Sequence, residues 1–66
     1  MDWAVLRDLA KQLNGLPADA WMRLPLGLRV ALDVLNPETS GQGRTTLERE
    51  LALYIVDALG RRVMAA

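Results

Sequence analysis

The apolar positions of this chain repeat at helical spacing, most heavily in its last third. Between Thr45 and Ala66 six consecutive residues, Leu51 to Val56, are apolar. Projected at about 100° per residue, Leu47, Leu51, Tyr54, Ile55, Val56, Ala58, Leu59 and Val63 spread over roughly half of a helix circumference. A surface helix needs an apolar arc of little more than about 100°. The pattern therefore predicts a long C-terminal helix with two apolar sides. One can be covered by the rest of the chain, for instance around Leu47, Leu51 and Tyr54. The other, carrying Leu51, Ile55, Val56, Leu59 and Val63, is expected to meet a second copy of the chain.

Upstream the same periodicity marks shorter helices. Asp2 is placed to cap a first helix running to about Asn14, with Trp3, Leu6, Leu9, Ala10 and Leu13 on one face. Arg7, Asp8, Lys11 and Gln12 fall on its wet side. Asn14-Gly15 is a stop signal, read as a glycine in the left-handed conformation. A Leu-Pro pair then occurs twice, at Leu16-Pro17 and Leu24-Pro25. Proline favours the first helical position and disfavours helical geometry in the residue before it. The expectation is a short helix from Pro17 to about Arg23 and another from Pro25 to about Leu35. Asn36 to Arg44 reads as a loop, rich in Pro, Thr, Ser and Gly. Thr45-Thr46-Leu47-Glu48 has capping-box spacing and opens the long helix. Nothing alternates as a strand does.

The fold class that follows is all-α: one domain over residues 1–66, a small helical bundle. Its N-terminal and C-terminal helices form the principal antiparallel pair, with a proline-broken segment between them. Two such chains would combine into a larger bundle.

Length sharpens the argument for assembly. A chain of 66 residues sits where a single core gives little stability in reserve. Small domains add disulfides, a metal or a partner subunit. With no cysteine and no histidine, disulfides and a structural zinc site are excluded. Oligomerisation remains, and an apolar content of 52% can supply the interface.

Eight basic residues balance eight acidic ones, without the basic surplus of a dedicated nucleic-acid binder. No apolar run is long enough to span a bilayer, and Met1-Asp2-Trp3 does not open a signal peptide. A cytoplasmic location is expected. Arginine supplies seven of the eight basic residues, phenylalanine is absent and Ile55 is the single isoleucine. That bias suits a GC-rich bacterial, phage or plasmid gene.

Chemistry-bearing motifs are few. Gly41-Gln42-Gly43-Arg44-Thr45-Thr46 before a helix has the look of a phosphate loop, but the lysine, the glycine spacing and the preceding strand are missing. Glu48 is accounted for by the cap. Asp57 can pair with Arg61 one turn later. With no histidine, cysteine or activated nucleophile there is no material for an active site, and neither enzyme activity nor a cofactor is expected.

A helix-turn-helix repressor is the alternative. It would place Arg44, Thr46 and Arg49 at the start of a recognition helix. Against it, the connection before that helix is longer than the motif's roughly three or four residues, and the helix is the most apolar in the chain. Trp21, Met22 and Leu24 form a dense cluster of large side chains. With Trp3 they are candidates for a partner-binding patch, since Trp is enriched at hot spots and Met adapts to partner shape. The expected function is thus non-enzymatic: a small dimeric regulator that docks on a larger protein, such as a transcription factor, and blocks or sequesters it. A structural subunit of a larger assembly is a third reading.

Overall fold

The computed structural model describes residues 2–40 and 44–65, with the side chains of 39 and 40 set aside. The glycine-rich stretch 41–43, and with it the phosphate-loop resemblance, lies outside the described residues. The described residues form helices and short connections, with no strand among them.

Helix α1 (Trp3–Asn14) begins where Asp2 accepts hydrogen bonds from the backbone N–H groups of Ala4 and Val5, satisfying two donors that have no partner within the helix. It ends at Gly15, which differs from expectation: φ is −89°, not left-handed. The Gly15 N–H bonds instead to the carbonyls of Lys11 and Gln12, closing the last turn with ordinary backbone geometry.

The two Leu-Pro pairs act as anticipated, one position earlier in register. Pro17 and Pro25 are caps with extended ψ of 155° and 142°. Their carbonyls accept from Trp21 and Arg29 and so start α2 (Ala18–Met22) and α3 (Leu26–Leu35). The stretch after α3, read above as loop, contains a further turn, α4 (Pro37–Ser40). Asn36 Oδ1 caps it from the Glu38 N–H at 3.0 Å, and Pro37 takes the first helical position, where a missing N–H costs nothing.

The C-terminal helix covers residues 46–65, and its interior is not uniform. α5 (Thr46–Ile55) passes into a π-helical turn (Val56–Gly60) and then into α6 (Arg61–Ala65), with right-handed helical backbone at each junction. Val56 and Gly60 bracket the π turn and both are buried. A methyl group at Gly60 would stand only 3.2 Å from Leu13 Cδ1 and 3.4 Å from Leu9 Cδ2. Here glycine permits a close approach by α1.

α5 packs most extensively against α3, while α1 lies over the π turn. The N- and C-terminal helices are therefore not the main pair. Leu28, Ala31 and Leu32 of α3 meet Ala52 and Val56, and α1 adds Ala10 and Leu13. Asn14 Nδ2 donates to the Leu32 carbonyl at 3.2 Å and ties the end of α1 to α3. No polar or charged residue is buried among those described.

Candidate functional site

α3 and α1 cover the side of the C-terminal helix that carries Ala52, Val56 and Gly60. These are small or compact residues at successive i, i+4 positions, where neighbouring helices can come close. Leu53 is buried as well, but four large side chains of α5 point away. Leu47 is 65% exposed, Leu51 54%, Tyr54 52% and Ile55 38%. They stand at i, i+4, i+7 and i+8, one face of α5.

This inverts the division drawn from the sequence. Leu47 and Tyr54, expected to be covered by the chain itself, are open. Val56, expected at a dimer interface, is wholly buried and belongs to the core. Leu59 and Val63 are half-buried against that core. Leu51 and Ile55 stay on the open face.

The helix presenting this stripe is fastened at its start. Thr45 Oγ1 accepts from the Glu48 N–H at 3.1 Å, and Glu48 accepts from the Thr45 N–H at 3.2 Å, the reciprocal capping box. Arg44 adds an ion pair to Glu48 at 3.1 Å. The Thr45 backbone hydrogen bond, then the Arg44 and Thr45 side chains, hold the Glu48 carboxyl below its ordinary pKa. On the other flank the half-buried Trp3 ring meets Tyr54 edge to face, with centroids 5.7 Å apart. Such pairs contribute about 0.5–1.5 kcal/mol beyond area burial. Trp3 thus extends the stripe onto α1. Arg61 and Asp57 form an ion pair one turn apart.

The Trp21 cluster is divided. Leu24 is buried and belongs to the core, while Trp21 packs against that core half-buried and keeps part of its ring accessible. Met22 is 63% exposed, and its Sδ receives Arg29 Nη1 at 3.5 Å. Arg44, Thr46 and Arg49, the candidate DNA contacts, are all exposed, but Arg44 is engaged by Glu48.

Arg49 belongs to a different feature. A half-open cleft of about 660 Å³ lies between α1, α5 and the start of α4. Arg7 and Lys11 stand on its α1 wall and Arg49 on its α5 wall, over apolar residues including Ala10, Leu35 and Leu53. By helical periodicity alone Arg7 and Lys11 belong to the wet side of α1. Their spacing of one turn showed a shared face, but nothing in it pointed to Arg49.

Among the described residues no group of three or more His, Cys, Asp or Glu is placed to hold a metal ion. No described helix is long and apolar enough to cross a membrane. No protein-family model, no curated protein and no solved structure matches the chain.

Proposed function

We propose that this chain is a small, non-enzymatic protein-binding regulator of a bacterial or phage cytoplasm. It pairs with a second copy of itself and docks on a larger protein that it blocks or sequesters. The observation that carries this reading is the open stripe of Leu47, Leu51, Tyr54 and Ile55 on a helix otherwise well anchored to its core. Contiguous apolar surface on a small protein marks an interaction site. A two-fold interface uses one patch twice, so each leucine removed from water on one chain is matched on the other.

Sedimentation of the purified chain tests the pairing. The wild type is expected to sediment as a dimer at micromolar concentration. Leu51→Lys, at a half-exposed position, should give a helical monomer, because the introduced charge appears twice at the interface and leaves the core untouched. A wild type that stays monomeric at about 100 µM, below which specific protein pairs ordinarily associate, would refute self-association.

A further inference from the structure

We propose that the cleft between α1, α5 and the start of α4 docks an acidic segment of a protein partner, with an apolar side chain on its floor and carboxylates on its rim. This rests on the reading of the chain as a protein-binding module and supplies the chemistry of the partner.

The charge distribution is the first argument. The chain as a whole is neutral, yet the cleft gathers Arg7, Lys11 and Arg49 against the single carboxylate of Asp8. Arg44 and Arg61 have carboxylate partners, while Arg7, Lys11 and Arg49, like Arg23, Arg29 and Arg62 outside the cleft, form no ion pair among the described residues; what sets the first three apart is that they line one concave surface. Cations left unpaired around a concave surface focus potential into it and attract anions.

The layout of the cations selects the kind of anion. Arg7 and Lys11 are separated by about 6 Å of helical rise on one wall, and Arg49 stands on another. Between them the surface is largely apolar, with Leu35 and Pro37 accessible above the buried Ala10 and Leu53. A compact anion such as phosphate would satisfy part of the rim and leave the apolar floor wet. A nucleic-acid backbone would need a longer run of cations and makes no use of such a floor. A peptide with acidic residues on either side of an apolar one matches both features. A leucine-sized group fills the floor, and the flanking carboxylates reach the two walls.

The cleft is independent of the open stripe. Arg49 and Leu51 are two positions apart on α5, about 200° around the helix. Leu53, in the cleft, likewise points away from Ile55 and Leu51. One chain can therefore hold a second copy on one side of α5 and an acidic segment on the other.

Fluorescence anisotropy with a labelled peptide, four glutamates arranged around a central leucine, tests the proposal on the full chain. Wild-type protein should bind it, more weakly as salt is raised. An alanine in place of the leucine should reduce affinity about tenfold, the worth of a partly buried aliphatic side chain. Lys11→Glu combined with Arg49→Glu should weaken binding by about tenfold or more, since attraction becomes repulsion at two positions. Lys11→Gln with Arg49→Gln, a gentler pair, should give a smaller loss with the melting curve unchanged. Leu51→Lys should leave peptide affinity as it is, even where it abolishes the dimer, so that failure of self-association and failure of the cleft are read separately.

Three results would overturn the proposal. One is no binding at about 1 mM peptide, the weak limit of specific recognition. The second is affinity indifferent to the charge-reversing pair. The third is inorganic phosphate or a single-stranded oligonucleotide displacing the peptide at equal concentration.

Discussion

Gly60→Ala sets two opposing effects against each other at a place where the structure decides between them. Alanine is favoured over glycine inside a helix by about 1 kcal/mol, largely because glycine loses more backbone freedom on folding. On helix propensity alone the substitution stabilises. The added methyl, however, would lie 3.2 Å from Leu13 Cδ1, 3.4 Å from Leu9 Cδ2 and 3.4 Å from Val56 Cγ1. Leu13 and Val56 are essentially inaccessible, at 1% and 0% exposure, so neither can move aside into solvent. Overpacking of this kind costs about 1–3 kcal/mol. The net expectation is a loss of about 1 kcal/mol, a large share of the roughly 3–5 kcal/mol that a domain this small can muster.

Urea unfolding followed by the helical circular-dichroism signal measures it, at fixed protein concentration because self-association shifts apparent stability. Gly27→Ala is the control. Its methyl would find only Leu59 Cδ1, at 3.8 Å, and should stabilise by up to about 1 kcal/mol. Leu13→Val removes the very Cδ1 that the new methyl meets. In that background Gly60→Ala should turn stabilising, and the double-mutant cycle should show a coupling of about 1.5–2 kcal/mol. A Gly60→Ala protein more stable than wild type, with no coupling to Leu13, would show that α1 is not held against the π turn as described.

Two further predictions concern the start of α5. Thr45→Ala should lower stability by about 1 kcal/mol in the same urea assay, because the acceptor for the Glu48 N–H is lost; an unchanged midpoint would place the helix start elsewhere. Glu48 has a pKa lowered in the folded chain, so its contribution is present above the ordinary carboxylate range and disappears as pH falls through the lowered folded value. Wild-type stability should therefore drop more steeply on acidification than that of Glu48→Gln; parallel pH curves would contradict the capping role.

Helix starts and breaks were legible because their causes are local. Asp2 caps α1, Thr45 and Glu48 cap α5, and Pro17 and Pro25 divide the middle of the chain, each through contacts spanning only a few residues. The same local chemistry was present at Asn36-Pro37-Glu38, an Asn cap followed by a proline at the first helical position, but the polar composition around it read as loop. That the described residues contain no strand followed from periodicity. By contrast, the π turn has no local signature beyond Gly60 itself, a glycine within a helical pattern.

Which side of the C-terminal helix is covered depends on packing between distant parts of the chain. Its apolar arc is wide enough that the pattern is satisfied by burying either half. The balance is struck by fit: α3 and α1 settle on the Ala52–Val56–Gly60 side, where small residues allow close packing, and Leu47, Leu51 and Tyr54 are left in water. The cleft was equally out of reach. Arg7 and Lys11 lie about forty residues before Arg49 in the chain, and long-range proximity of this kind is set by packing of apolar faces, not by any feature of the charged residues themselves. Composition and spacing determined that this chain folds into helices with apolar surface beyond what one core uses; the three-dimensional packing determined which residues that surface contains.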